Sequence, residues 1–111
     1  MISVILFIKI KETNMFEKIR EIIRSIPPGK VMTYGQVARL AGSKNSRIVV
    51  YAIYGNQDKS VPCHRVVFKD GSLAEKFSLG GWQEQKARLE IDGTSFSTDK
   101  VVNLKKSGLL I

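Results

Sequence analysis

Apolar residues recur at helical spacing in several stretches of the chain, and helix-stopping residues lie between them. Asn14 with Glu17 three residues later has the form of a capping box, and Phe16, Ile19, Ile23 and Ile26 then repeat as one apolar stripe. Pro27-Pro28-Gly29 must end that helix, leaving Lys30 to Met32 as a short extended connection. Thr33 with Gln36 repeats the cap pattern. The helix it predicts places Val37, Ala38, Leu40 and Ala41 on an apolar face and stops at Gly42. After a turn at Ser43 to Asn45, a third segment runs from Ser46 to Tyr54 and ends at Gly55. Its Ile48-Val49-Val50 run also suits a strand, so the pattern alone leaves both readings open. Read as a helix, it completes a helix-turn-helix whose second helix would meet DNA, with Arg47 near its start.

Beyond Ser60 the period changes. Val66-Val67-Phe68, the turn signal Asp70-Gly71 and then Ser72-Leu73 predict a short hairpin or loop. Phe77 to Gly81 reads as a glycine-ended loop, and Trp82 to Asp92 as a helix with Ala87 and Leu89 inside and Gly93 as its cap. Val101, Val102 and Leu104 close the core, with Lys105 and Lys106 as solubilising charges. The apolar run Met1 to Ile10 is far short of the ~20 residues that span a bilayer. It reads as an edge strand or extension. The expected architecture is mainly α with a small β element, a winged helix-turn-helix-like domain over residues 15–111 after an extension at 1–14.

Composition sharpens this picture at one point. The chain of 111 residues carries a formal net charge of +8, and from Ile22 to Gln57 it has no acidic residue. Arg24, Lys30, Arg39, Lys44 and Arg47 lie in that window. A field of one sign suits a polyanion, nucleic acid before an anionic membrane, although a solvated basic face would look the same. One cysteine and one histidine cannot build a Cys/His zinc site, so no metal or cofactor is expected. The same scarcity of cysteine suits a reducing, cytoplasmic setting.

Both residues stand together in Val61-Pro62-Cys63-His64-Arg65-Val66-Val67. A cysteine flanked by a histidine and an arginine sits where positive charge stabilises a thiolate, which makes Cys63 a candidate nucleophile. The plainer alternative is a small buried hydrophobe. On a strand, Cys63 and His64 would point to opposite faces, so a turn or a bridging water is needed to join them. A cysteine hydrolase is disfavoured, because no oxyanion motif accompanies the lone histidine.

Taken in order, Pro-Pro-Gly-Lys-Val-Met-Thr-Tyr-Gly-Gln-Val-Ala, an arginine on the next helix, Gly55-Asn56, Pro-Cys-His-Arg-Val, Gly80-Gly81 and Asp92-Gly93 form a further pattern. From about Phe16 to Phe96 the chain resembles the O6-alkylguanine-DNA alkyltransferase family. The resemblance implies that Cys63 accepts the alkyl group from guanine O6 and keeps it, so that each molecule acts once. It implies that His64 takes the thiol proton through a water, that Asp92 orients His64 where the family has a glutamate, and that Asn56 ties the recognition helix to the active-site turn. Tyr34 matches the tyrosine beside the flipped nucleotide and the expected proton donor. Arg47 matches the finger that fills the gap in the duplex, with Arg39, Lys44, Ser46 and Ile48 as the expected contacts around it. Val66 matches the residue whose carbonyl reads the base. Ile53, Ser78 and Leu79 complete the expected pocket, the last two replacing the family's tyrosine-serine pair.

Other departures are bulky residues at Ile48, Val50 and Tyr51, where members usually have small ones, and a longer loop before Gly80. The family's usual N-terminal domain is not expected here, with only the extension at residues 1–14 ahead of the motif. That and the Asp-Lys-Val-Val-Asn-Leu tail are similar to the alkyltransferase-like proteins, which flag damaged bases for excision repair and lack the cysteine. Cys63 favours the transferase. The expected partner is double-stranded DNA containing O6-alkylguanine, bound by a monomer without membrane or cofactor, with excision-repair proteins as partners in the sensor alternative. A helix-turn-helix regulator with a structural cysteine is a third reading.

Overall fold

The computed structural model describes residues 15–77 and 80–110. The reading of Met1 to Ile10, the cap at Asn14 and the pocket residues Ser78 and Leu79 lie outside them. Helix α1 (Met15–Arg24) buries Ile19 and Ile23, and Ile26 follows them into the core just past its end. Met15 and Ile22 pack at the side of the same cluster, which centres the stripe on positions 15, 19, 22 and 26. Phe16 falls at the edge of that stripe and stays 43% exposed, against expectation.

Helix α2 (Tyr34–Ala41) begins on the predicted capping box. Thr33 Oγ1 accepts from the Gln36 amide at 3.1 Å, and the Thr33 amide donates to Gln36 Oε1 at 2.9 Å. Gly42 ends it in the left-handed region. Val37, Ala38 and Ala41 are buried, but Leu40 is about 100° round the helix from them and is exposed, a correction to the expected face. Helix α3 (Arg47–Tyr54) resolves the helix-or-strand ambiguity. Val49 and Ala52, three apart, are the residues it buries, and it packs on both α1 and α2. The helix-turn-helix is therefore present.

Of the two alternatives expected here, hairpin or loop, the hairpin does not form. Strand β2 (Val66–Val67) pairs in parallel with β1 (Met32–Thr33), Met32 opposite Val66, across the α2–α3 crossover. Both of its valines are fully buried, and a strand covered on two faces needs an interior partner. Phe68 to Ser72 instead makes a tight turn, and Leu73 donates its amide to Lys100 O at 2.9 Å. Helix α4 (Gly81–Asp92) buries Gln85 and Leu89, one turn apart, and ends at Gly93 in the left-handed region. Ala87, predicted inside, lies on the opposite side and is exposed. Strands β3 (Phe96–Thr98) and β4 (Val101–Val102) pair antiparallel, and a single turn α5 (Leu104–Ser107), capped by Asn103, follows.

Two apolar clusters result. The larger holds Ile19, Ile23, Met32, Val37 and Val49, and the smaller Val31, Val67, Leu73, Leu89 and Val102. The stretch from Val61 to Val67 runs from one to the other, since Cys63 and Val66 belong to the first cluster and Val67 to the second. That anchoring on both sides fixes the segment that carries the candidate chemistry.

Candidate functional site

Residues Cys63–Arg65 form a single 3-10 turn entered through Pro62 and leading straight into β2. The Arg65 amide donates to Pro62 O at 2.9 Å and the Val66 amide to Cys63 O. The turn removes the two-faced geometry of a strand and lets Cys63 and His64 serve one region by different contacts. Cys63 keeps 9% of its surface at the rim of a cavity of about 360 Å³, lined also by Ile53, Asn56, Val61 and Arg88. Asn56 Nδ2 lies 3.7 Å from the sulfur and 2.9 Å from Asp58 O, so Asn56 links the end of α3 to the active turn. Burial pushes the Cys63 thiol up, only partly opposed by Asn56 and by the Arg20 guanidinium on α1. The thiol therefore needs a base to become a nucleophile.

His64 Nε2 is 2.9 Å from Asp92 Oδ2, at the last residue of α4. Burial lowers its proton affinity more than Asp92 raises it, which favours the neutral imidazole. Asp92 is held below the ordinary carboxylate range, first by Arg65. Arg65 grips both oxygens, Nε to Oδ2 at 2.8 Å and Nη2 to Oδ1 at 3.1 Å, and gives Nη1 to Ile26 O at 2.9 Å. Among the described residues no hydrogen bond joins the Cys63 sulfur to His64.

Beneath the turn lies Gln85, fully buried on α4. It donates Nε2 to His64 O at 3.2 Å and to Val66 O at 3.0 Å, and accepts from the Ala74 amide at 2.8 Å. Gln85 is not singled out by the sequence, and Arg65 is read there only as a positive charge that would stabilise the Cys63 thiolate, whereas the structure turns its guanidinium to Asp92. Arg65 stands inside the most specific motif, but its partner is 27 residues away. For Gln85 no local signal exists.

Tyr34 lines a neighbouring apolar cavity of about 300 Å³ with Val50, Ile53, Tyr54, Phe68 and Phe77. Its ring lies 5.0 Å from that of Phe68, and burial first, then the Cys63 and Tyr54 charges, push its phenol up to about 12. It remains a proton donor at neutral pH. Ile53 borders both cavities. Val66 is fully buried and lines neither, and its carbonyl already accepts from Gln85.

On the outer face, Arg39, Lys44 and Ser46 line a shallow polar depression of about 350 Å³ at the turn between α2 and α3. Arg47 is exposed at the first position of α3, its amide held by Asn45 Oδ1 at 3.0 Å. Ile48 packs against the core. Of the three bulky residues on this helix, Val50 faces the cavity and only Tyr51, 62% exposed, projects outward.

The helix-turn-helix with its basic outer face, the cysteine turn and the His64–Asp92 pair all lie within one stretch that a family model covers. Residues 14–94 fit the family model of the 6-O-methylguanine DNA methyltransferase DNA-binding domain. The chain belongs to this family. Among its relatives, alkyltransferase-like protein 1 of Schizosaccharomyces pombe is 36% identical over 82 residues, covering 72% of this chain and 76% of that one. The methylated-DNA–protein-cysteine methyltransferase of Methanothermobacter thermautotrophicus is 34% identical over 84 residues, covering 75% of this chain but only 46% of the other. The crystal structure of S. pombe Atl1 in complex with damaged DNA containing O6-carboxymethylguanine superposes with a TM-score of 0.79 at 30% identity. It covers 89% of this chain and 97% of that one. The family thus accounts for the fold, and among the described residues no helix is long and apolar enough to cross a membrane.

Proposed function

We propose that this protein binds duplex DNA through α3 and the turn before it, takes an O6-alkylguanine out of the base stack, and transfers the alkyl group to Cys63. An atom inside the stack is out of reach of any side chain, so the base must rotate out, and Arg47, the first residue of α3, fills the gap in this reading. Arg39, Lys44 and Ser46 hold the flanking phosphates. The extruded base enters beside Tyr34 and Ile53, the residue shared by the apolar cavity and the cysteine cavity.

His64, neutral and held by Asp92, takes the thiol proton through a water. The sulfur attacks the alkyl carbon in line, the S–C bond forms and the C–O6 bond breaks. The electron pair goes to guanine O6, Tyr34 supplies a proton to the leaving purine, and the proton taken up by His64 replaces it through water, so that neither a phenolate nor an imidazolium is left behind. Guanine and a thioether result. Nothing among the described residues provides chemistry to reverse that bond, so each molecule acts once. The observation that carries this reading is a cysteine at a cavity rim, held up by burial, on the same turn as a neutral histidine paired with a carboxylate.

A second reading is a damage sensor that binds the flipped base and passes it to excision-repair proteins. It is favoured by the fuller coverage of the S. pombe relative, 76% of its length against 46% for the methyltransferase. Mass spectrometry after mixing with O6-methylguanine duplex separates the two. Transfer gives a gain of one methyl at Cys63, none in Cys63→Ala, and unmodified guanine in the DNA. Tight binding with the methyl still on the base and no gain in protein mass establishes the sensor instead.

A further inference from the structure

We propose that Arg65 is a positioning residue that sets the proton state of His64 by sharing the Asp92 carboxylate with it, an inference that rests on the base role assigned to His64 above. A single oxygen, Asp92 Oδ2, meets both His64 Nε2 at 2.9 Å and Arg65 Nε at 2.8 Å. Arg65 Nη2 takes the other oxygen at 3.1 Å. The three side chains are nearly enclosed, at 13%, 15% and 11% exposure for His64, Arg65 and Asp92, so water screens them little. The guanidinium is itself fixed by its bond to Ile26 O, where the chain leaves α1.

Two consequences follow from this geometry. Asp92 is the last residue of α4, where the helix dipole disfavours negative charge, and the two-pronged guanidinium offsets that cost and keeps the acid ionised. An ionised Oδ2 then holds the proton on His64 Nε2 and leaves Nδ1 with its lone pair free to act as a base. The second consequence concerns charge. A carboxylate alone beside a buried imidazole makes it more basic, and an imidazole already protonated near neutral pH accepts nothing from a thiol. Burial is the first cause that disfavours the imidazolium, and Arg65 adds to it by taking part of the carboxylate and setting a positive charge beside the ring. The charged groups facing His64 are Asp92 and Arg88 from α4 and Arg65 from its own turn, and Arg88 acts in the same sense as Arg65 but more weakly. Asp92 therefore orients His64 while its basifying effect is blunted.

The sole histidine of the chain gives one unambiguous imidazole signal in an NMR titration, independent of any DNA reaction. Wild-type His64 is expected to titrate below the ordinary imidazole value. Arg65→Gln should raise the midpoint by at least about half a pH unit, and Arg65→Lys, which keeps the cation, should stay closer to wild type. The acid limb of the pH–rate profile for methyl transfer should move upward with it. A folded Arg65→Gln protein with an unmoved or lowered midpoint overturns the proposal. Should that variant fail to fold, the wild type decides by nitrogen-15 shifts of the neutral ring. A proton on Nε2 is expected, and a proton on Nδ1 overturns the shared-carboxylate arrangement. Absence of methyl transfer at every pH would sink the transferase reading alone, since the titration still judges Arg65.

Discussion

Replacing Gln85 by leucine should damage the protein more than any surface change of similar size, because Gln85 ties α4 to the backbone on either side of Arg65, beneath the link that Asp92 makes through side chains. Its side chain is fully buried and makes three hydrogen bonds, two to the carbonyls of His64 and Val66 and one from the amide of Ala74. Leucine fills nearly the same volume but satisfies none of the three. An orphaned buried amide costs ~1–3 kcal/mol, and two carbonyls left with fewer partners add a comparable amount. His64 and Ala74 are half-buried, so water recovers part of this, and the extra apolar burial of leucine returns ~1 kcal/mol. The net loss is ~3 kcal/mol, which for a domain of this size lowers the melting temperature by roughly 12 °C. Urea denaturation read by circular dichroism gives the free energy directly. Gln83→Leu, on the exposed side of the same helix, is the control and should change stability by under ~0.5 kcal/mol. A Gln85→Leu protein as stable as that control would show that the three hydrogen bonds contribute nothing and that the turn is held by its apolar anchors alone.

Gly71 has φ +90° and a Cβ there would stand 2.5 Å from Val102 O, so Gly71→Ala should cost ~2–4 kcal/mol by the same denaturation assay. Gly42, equally left-handed but with nothing within 4 Å, should lose only ~1 kcal/mol on the same change, and equal losses would mean the clash is relieved by local movement. Binding to duplex DNA should weaken steeply with salt in a fluorescence anisotropy titration, and Arg47→Ala should slow methyl transfer from duplex far more than from the free base, with equal losses counting against its role in the gap. The proton affinities of His64 and Asp92 are both lowered by folding, so both groups stabilise at neutral pH and lose that contribution on acidification. The melting temperature should begin to fall as pH drops through about 6.5, the unfolded histidine value, and fall further below about 4 as Asp92 protonates. A melting temperature flat from pH 7 to 5 would contradict the buried neutral His64.

Much of this fold was readable from short stretches of sequence. The Thr33–Gln36 capping box, the stops at Gly42 and Gly93 and the break at Pro27-Pro28-Gly29 all depend on residues within a few positions of one another, and each stands where the pattern put it. Faces were less legible. Phe16, Leu40 and Ala87 were expected inside and are exposed, because an apolar residue on a helix is buried only if another element covers its side. The strand at Val66–Val67 was visible as an apolar pair, but its partner was not the neighbouring Ser72–Leu73. It pairs with Met32–Thr33, over thirty positions upstream, as a parallel strand that only the α2–α3 crossover can deliver. The site divides in the same way. Cys63 and His64 announced themselves as the sole members of their kind in one motif, and family resemblance, not pattern, supplied Asp92. That Arg65 shares this acid and that Gln85 carries the turn from below came from tertiary structure alone. Such contacts join residues about twenty or more apart, and their geometry is set by how α1, α4 and the cysteine turn pack, not by the residues beside them.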